Sequence, residues 1–202
     1  MKREAPATAR NREPIAAVLR EVLPESGTLI EIASGTGEHA VYFAGLFPGL
    51  IWQPTDPDPA ALASIHAWRR DSGLGNLLEP MRLDAAAETW PAGPADAILC
   101  VNMVHISPWA ATEGLMRGAA RALPAGAPLV LYGPYRRAGV PTAPSNEAFD
   151  ESLRARNPDW GLRDLESVGA EAETRGLRFD RLYEMPANNL ALVFRRQAVT
   201  SG

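Results

Sequence analysis

Short apolar runs along the chain alternate with longer stretches in which apolar residues recur every three or four positions. The short runs predict buried strands at 28–33, 50–55, 77–83, 95–101 and 128–132. The final runs, 178–184 and 190–196, are joined by Met-Pro-Ala-Asn-Asn and predict an antiparallel hairpin. Helical spacing predicts helices at 13–23, 38–47, 58–71, 108–123, 146–156 and 163–175. The first helix is expected to carry Pro14 in its first turn and to end before Pro24.

This alternation of strands and helices predicts the fold class. We expect an α/β, doubly wound, Rossmann-like sheet of seven strands, parallel except for an antiparallel last strand. In such sheets ligands bind at the carboxyl ends of the strands, near the point where the strand order reverses. One domain is expected over residues 10–197, between a flexible N-terminal tail at 1–9 and a C-terminal tail at 198–202.

Composition narrows the classes of function. The 202 residues are 46% hydrophobic and 22% charged, which is typical of one globular domain. The net charge is -4 and basic residues cluster only in pairs, so we expect no nucleic-acid partner. The single cysteine, Cys100, excludes an internal disulfide and suits a reducing compartment. The histidines and the cysteine lack metal-ligand spacing, so we expect no metal. No apolar stretch approaches roughly 20 residues and the N-terminus has no apolar signal core, so we expect no membrane partner and a cytoplasmic location.

A glycine-rich turn follows the first predicted strand, in the segment Glu31-Ile-Ala-Ser-Gly-Thr-Gly-Glu38. Glycine permits backbone angles that other residues avoid and lets the main chain approach a ligand closely. Gly35, Gly37 and Ala40 satisfy the permissive G-x-G-x-x-G/A pattern of dinucleotide-binding folds. The same segment resembles the first motif of class I methyltransferases, with Ala33 where that class usually has its first glycine.

Polar residues at the ends of later strands complete a candidate cofactor site. Asp56 follows the second strand 25 residues after Glu31, where a carboxylate is expected to accept hydrogen bonds from ribose. Asp84 fits the position that contacts adenine in methyltransferases, and Asn102 follows the fourth strand. The C-terminal hairpin favours the methyltransferase interpretation, because most dinucleotide folds lack an antiparallel last strand. The candidate cofactor residues are Arg12, Glu31, Ala33, Ser34, Gly35, Gly37, Asp56, Asp84 and Asn102.

Several longer strings are more specific than these motifs. They include Arg10-Asn-Arg-Glu-Pro-Ile15, Trp52-Gln-Pro-Thr-Asp56, Asn102-Met-Val-His-Ile-Ser-Pro-Trp109, Leu131-Tyr-Gly-Pro-Tyr135, Thr142-Ala-Pro-Ser-Asn-Glu-Ala-Phe-Asp150 and Pro186-Ala-Asn-Asn-Leu190. With the glycine turn, they resemble a small domain-of-unknown-function family that has bacterial members and animal methyltransferase-like members. The resemblance spans residues 10–196 and implies a SAM-dependent methyltransferase fold without a known substrate.

Other residues are candidates for catalysis or substrate binding, each beside a structural alternative. Arg12, next to Asn11, is a candidate to pair with the carboxylate of the cofactor; the alternative is a solvated arginine beside a helix cap. His105 is a candidate general base, or else a hydrogen-bonded structural histidine. His39 and His66 are expected to be surface or packing residues. Tyr132, Tyr135 and Arg136 are expected to form, with Asn146 and Phe149, either a substrate lid or a merely covering loop. Asn188 is a candidate for a substrate contact, or else part of the hairpin turn.

Together these features lead to the expectation of methyl transfer from S-adenosylmethionine (SAM), releasing S-adenosylhomocysteine (SAH), to a small-molecule substrate. Alignment of the reacting atoms can supply much of the rate, so a catalytic base is not essential. Two alternatives remain open: an NAD(P)-dependent oxidoreductase and a non-catalytic SAM-binding regulator. They differ in which ligand stabilises the fold and in whether methyl transfer follows binding.

Overall fold

A computed structural model describes residues 1–198 of the chain. The strands are β1 (Gly27–Ile32), β2 (Leu50–Asp56), β3 (Met81–Arg82), β4 (Ala97–Val101), β5 (Pro128–Gly133), β6 (Leu177–Met185) and β7 (Asn189–Arg196). The helices are α1 (Pro6–Val22), α2 (Glu38–Leu46), α3 (Pro59–Ser72), α4 (Trp109–Ala122), α5 (Pro144–Arg156) and α6 (Leu165–Thr174). No helix within residues 1–198 combines the length and the apolar character needed to cross a bilayer.

The seven strands form one sheet in the order β3-β2-β1-β4-β5-β7-β6. β1 lies in parallel between β2 and β4, so the strand order reverses there. β7 runs antiparallel to both β5 and β6, and the predicted fold class is therefore confirmed. The carboxyl ends of the parallel strands β1, β2 and β4 bring the glycine turn, Asp56 and Asn102 to one edge of the sheet.

Two apolar cores cover the two faces of this sheet. On one face, α1 and α2 pack their buried residues against the side chains that β1, β4 and β5 direct towards these helices. On the other face, α4 and α6 cover the alternate residues of the same strands. Because helices cover both faces of the sheet, the central strands carry apolar residues on both sides and appear in the sequence as continuous apolar runs.

The N-terminal part of the chain differs from the prediction. α1 begins at Pro6, so a helix replaces residues 6–9 of the expected flexible tail, and Pro14 lies in its interior instead of its first turn. Two earlier amides are also fixed: Arg3 N–H donates to Ser64 Oγ (2.8 Å), and Ala5 N–H donates to Glu38 Oε2 (2.6 Å). Tertiary contacts thus order a segment that local composition presents as loose. Residues 199–202 of the predicted C-terminal tail lie outside the described residues.

The third strand is shorter than predicted. Only Met81 and Arg82 pair with β2 as a strand, and Leu77 forms a separate bridge to Trp52. Pro80 stands between these two points and has no N–H to donate to a strand ladder, which accounts for the interruption.

Candidate functional site

A cavity of about 640 Å³ lies at the carboxyl ends of β1, β2 and β4. Its volume falls within the roughly 300–1,000 Å³ typical of small-molecule sites. The wall is built from the glycine turn, the ends of β2 and β4, the segment after β3, the first turns of α1 and α4, and Trp160. The cavity therefore occupies the place where the topology of the sheet predicts a ligand.

The glycine turn is fastened to the end of β2 by backbone hydrogen bonds. Ser34 N–H donates to Thr55 O (2.8 Å), and Gly35 N–H donates to Asp56 Oδ2 (2.9 Å). Gly35 has φ +58° and no atom within 4 Å of the position a Cβ would take, so its backbone faces open space in the cavity wall. Ala33 adopts a similar left-handed conformation, φ +56°, and also lines the cavity together with Ser34.

Gly37 serves packing instead of lining the cavity. It has φ +92°, and a Cβ there would approach the backbone Cα of Ile65 to 2.7 Å. Glycine therefore allows the start of α2 to meet α3 closely. Gly37 is not among the residues lining the cavity, so the structure gives no support to its predicted contact with a cofactor.

Glu31 is a buried carboxyl group in the cavity wall. It is 1% exposed, and its Oε2 accepts a hydrogen bond from Trp52 Nε1 (2.7 Å). Burial raises the pKa of Glu31 to about 7, although the Trp52 hydrogen bond opposes the shift. The nearby Asp56 carboxylate adds to the rise of the pKa, and a hydrogen bond from the Ser34 side chain opposes it. A cationic group entering the cavity would stabilise the charged form of Glu31.

Asp56 is held in one orientation by two amides. Its Oδ2 accepts from Gly35 N–H, and its Oδ1 accepts from Asp58 N–H (2.9 Å). Burial raises the pKa of Asp56, and both backbone hydrogen bonds oppose that shift. Since each carboxylate oxygen has a second lone pair, the group can still accept hydrogen bonds from a ligand in the cavity.

Asp84 and Asn102 also lie in the cavity wall. Asp84 Oδ1 accepts from Ala86 N–H (2.9 Å). Asn102 follows β4 in a left-handed conformation, φ +63°, and its N–H donates to Tyr132 O (2.8 Å). Backbone in this sparsely populated region concentrates at functional sites.

His39, expected to be a surface or packing residue, packs on Phe43 and also lines the cavity together with Asn11. His39 Nε2 donates to Asn11 Oδ1 (2.8 Å), and the ring stacks on Phe43. Burial, reinforced by the nearby Arg12 cation, lowers the pKa of His39 to about 4. The imidazole is therefore neutral at physiological pH. The contact joins α2 to α1 across 28 residues, so no local pattern reveals it.

Arg12 lies outside the cavity wall. Its guanidinium lies over the Tyr42 ring, 4.7 Å from the centroid. Its neighbour Asn11 lines the cavity instead. The predicted pairing of Arg12 with a cofactor carboxylate has no support in this geometry.

His105 is sealed in the interior instead of facing a ligand. It is 0% exposed, packs edge-on against Tyr135 (4.6 Å between centroids) and does not line the cavity. Burial and the nearby Arg163 lower its pKa to about 3. The geometry therefore contradicts the general-base hypothesis and favours the structural alternative.

The residues predicted to contact a substrate fall into two groups. Tyr135, Asn146 and Asn188 line a second, smaller cavity of about 190 Å³. Tyr132, Arg136 and Phe149 line neither cavity. Tyr132 is buried in the core beneath α1, and Arg136 makes two hydrogen bonds to Glu147 (2.6 and 2.7 Å). The structure therefore gives no support to a substrate contact for these last three residues.

The polar side chains of the large cavity are carboxyl, hydroxyl, amide and imidazole groups, set among apolar ones. Within residues 1–198, no three side chains of the metal-binding types come together as a metal site requires.

Comparison with known proteins gives a family and a fold. A family model described as "Protein of unknown function (DUF938)" matches residues 2–196. An O-methyltransferase family protein from Burkholderia thailandensis superposes with a TM-score of 0.79 at 18% identity, covering 96% of this chain and 58% of the other. The mitomycin 7-O-methyltransferase MmcR gives 0.80 at 21% identity, covering 94% and 54%. CalO1, a methyltransferase in calicheamicin biosynthesis solved with SAH bound, gives 0.73 at 18%, covering 92% and 54%.

These likenesses concern the fold, since the identities are low and the chain spans little more than half the length of each of these three proteins. The shared region covers nearly all of this chain, including the sheet that carries the cavity. The fold is therefore that of class I methyltransferases.

Proposed function

The chain belongs to the DUF938 family, and from this premise we propose that it is a class I methyltransferase that uses SAM. The observation that carries the proposal is the large cavity beside the glycine turn, with the carboxyl groups of Glu31, Asp56 and Asp84 in its wall. The methyltransferase fold of the neighbours supports it, and so does the presence of SAH in one of them. The whole activity, its cofactor and its substrate are parts of this proposal.

The residues of the cavity fit SAM in chemistry. SAM carries an ammonium group, and the buried Glu31 carboxyl would offer it an acceptor. The two hydroxyl groups of ribose could donate to Asp56, whose oxygens each retain an accepting lone pair. Apolar side chains such as Met103 and Ile106, with the polar Asp84, would hold the adenine ring. Gly35 leaves the space that a nucleoside needs against the backbone.

When bound, SAM would supply an activated methyl group on a sulfonium. The residues of the chain would bind, orient and exclude water. The glycine turn is clamped to β2, and Asp56 is fixed by two amides, so both hold their positions before a ligand arrives. Preorganised polar groups and alignment of the reacting atoms lower the barrier without an acid or base. His39, neutral at physiological pH, would add no positive charge to a cavity that binds a cationic cofactor.

The proposed products are SAH and a methylated small molecule. A small-molecule acceptor is supported by the enclosed cavities at the sheet edge. We also propose a cytoplasmic location, supported by the buried Cys100 thiol, whose pKa is raised to about 12 and which is suited to a reducing compartment.

Calorimetric titration with SAM and SAH, beside NAD and NADP, tests the proposal. Wild-type protein is expected to bind SAM and SAH. Asp56→Asn removes a charged acceptor and should weaken SAM binding by roughly 10- to 150-fold, the equivalent of about 1.5–3 kcal/mol. Asp58→Asn is the matched control, because Asp58 caps α3 outside the cavity and asparagine caps a helix as well. Its SAM affinity should stay within threefold of wild type.

Each alternative function predicts a different result. Binding of NAD or NADP without SAM would favour an oxidoreductase and refute the proposal. Binding of SAM without transfer of labelled methyl to any component of a cell extract would favour a non-catalytic SAM-binding regulator. Equal affinity of the Asp56→Asn and Asp58→Asn variants would remove Asp56 from the site.

A further inference from the structure

The smaller cavity, of about 190 Å³, lies at the same edge of the sheet as the large one. It is bounded by the end of β5, the proline-rich loop that follows, the start of α5 and the turn between β6 and β7. Gly133, the last residue of β5, pairs with Leu190 of β7, so these segments meet at the carboxyl end of β5. At about 30 Å³ for each water-sized group, the volume suits a group of roughly six non-hydrogen atoms.

Asn146 provides an unused acceptor in the wall of this cavity. The residue is 7% exposed, and its Nδ2 donates to Asn188 O (2.9 Å). A carbonyl can only accept, so this contact fixes which end of the amide is nitrogen. Within residues 1–198, Asn146 Oδ1 has no partner, yet it is not among the unpartnered atoms sealed from solvent. The oxygen is therefore accessible to solvent, and its residue lines the cavity.

A donor stands in the same wall. The Arg137 guanidinium uses one of its N–H groups on Glu184 Oε1 (3.0 Å), and the others have no side-chain partner within residues 1–198. Because Arg137 and Glu184 neutralise each other, the wall offers no net charge to balance an ion. A ligand here has to donate to an amide oxygen and can accept from a guanidinium.

The wall is held rigidly. Arg136 joins Glu147 and Asp150 of α5, with 3.1 Å from its Nη2 to Asp150 Oδ2, and so fixes the helix that carries Asn146. On the opposite side, Ala187 and Asn188 are consecutive non-glycine residues in the left-handed region, φ +56° and +57°. Backbone of this kind persists only where the surroundings enforce it, and it gathers at ligand sites.

A short chain of contacts connects the two cavities. Asn102 lines the large cavity, and its carbonyl accepts the N–H of His105 (3.1 Å). The His105 ring packs edge-on against Tyr135, which lines the small cavity. His105 and Tyr135 are 0% and 5% exposed, so this pair separates the two cavities, and an acceptor that binds in both has to lie across the edge of the sheet at which they open.

We propose that the small cavity is the subsite that anchors the methyl acceptor, and that it binds an uncharged, hydroxyl-bearing part of that molecule. The inference rests on the proposed methyltransferase function. A hydroxyl group donates to Asn146 Oδ1 and accepts from Arg137, whereas an ammonium cannot accept and a carboxylate cannot donate. The Arg137–Glu184 pair also leaves no unpaired charge in the wall to attract an ion. The hydroxyl-bearing part gives the acceptor its fixed orientation, while the methyl is transferred in the large cavity.

Two variants close the subsite in different ways. Val140→Phe fills the small cavity from its rim, and Val140 is 45% exposed, so the larger ring has room outward and the fold is retained. Asn146→Ala removes the accepting oxygen. The matched control is Ile51→Phe, an equally exposed position, 46%, on β2 and outside both cavities.

The test measures labelled-methyl incorporation from SAM into small-molecule cell extracts, beside calorimetric SAM binding by each variant. Val140→Phe and Asn146→Ala are expected to lose about tenfold or more of the incorporation, equal to one hydrogen bond, at unchanged SAM affinity. Ile51→Phe should match wild type. The labelled product, once isolated, should gain acetyl groups on treatment with acetic anhydride under conditions selective for hydroxyls.

Undiminished incorporation by Val140→Phe overturns the subsite, as does a loss of SAM affinity in proportion to the loss of transfer. A labelled product without a free hydroxyl overturns the ligand class. Failure of wild-type protein to bind SAM, or to label any extract, instead refutes the methyltransferase proposal itself, so the two failures are distinct.

Discussion

Gly35 and Gly37 stand in one motif, yet substitution by alanine should affect them differently. Both have positive φ, +58° and +92°, so each alanine incurs the left-handed penalty of about 1–2 kcal/mol for a residue with a Cβ. At Gly35 the new methyl meets nothing within 4 Å. At Gly37 it would lie 2.7 Å from Ile65 Cα, a backbone atom that cannot rotate away.

Overpacking of this kind costs a further ~1–3 kcal/mol, because α2 and α3 must move apart. Gly37→Ala is therefore expected to lose about 2–5 kcal/mol of unfolding free energy, against about 1–2 kcal/mol for Gly35→Ala. For a domain of this size the difference corresponds to a Tm lower by roughly 2–12 °C. Urea denaturation and thermal unfolding of the two variants, without ligand, measure both quantities.

SAM titration of the same variants separates packing from binding. Gly35→Ala points its methyl into the cavity wall and should weaken SAM binding, whereas the folded fraction of Gly37→Ala should bind SAM almost normally. Equal stability of the two variants would refute the packing role of Gly37. A stable Gly37→Ala variant with impaired SAM binding would restore the role that the motif first suggests.

Three further predictions concern the ionisable side chains of Glu31, His105 and Arg136. Glu31 has a folded pKa of about 7 against an ordinary 4.5, so its contribution to stability is present at low pH and lost as pH rises between these values. Relative to wild type, Glu31→Gln should gain about 3 kcal/mol on going from pH 4.5 to pH 8 in urea denaturation, and a constant difference would contradict the burial argument. His105 has a folded pKa of about 3 against an ordinary 6.5, so its contribution to stability is lost as pH falls between these values. From pH 7 to pH 4, wild type should lose about 3 kcal/mol of unfolding free energy relative to His105→Gln. The SAM affinity of this variant at pH 7 should equal that of wild type. Arg136→Met should lose about 2–3 kcal/mol of unfolding free energy, because Asp150 and Glu147 lose charged hydrogen bonds, while SAM affinity stays within threefold; a selective loss of SAM binding would contradict its structural role.

The order and type of most elements could be predicted from the sequence because burial imposes the pattern. Strands covered on both faces must be apolar throughout, and the intervening helices must carry an apolar stripe. The same reasoning fails where few residues carry the signal. β3 has two paired residues beside Pro80, and the first turns of α1 are ordered by contacts with α2 and α3 that lie far away in sequence.

The candidate site was predictable where position along a strand determines placement. Glu31, Asp56, Asp84 and Asn102 follow strand ends, so the parallel sheet brings them into one cavity wall. The role of Gly37 depends on the neighbouring α3, which the motif does not describe. The sequence placed His105 in the site and His39 outside it, whereas in the structure His39 lines the cavity and His105 is buried. Both positions depend on segments that pack from elsewhere in the chain.

The ordered N-terminal segment carries its own optical reporter. Trp68 of α3 donates its indole N–H to Arg3 O (2.9 Å), and Lys2 lies over the same ring, 4.2 Å from the centroid. A few residues later the same segment forms part of the large cavity through Ala5 and Thr8. Undocking would hydrate this indole, so a shift in Trp68 fluorescence would register motion of that wall in real time, with Trp68→Phe as the blank.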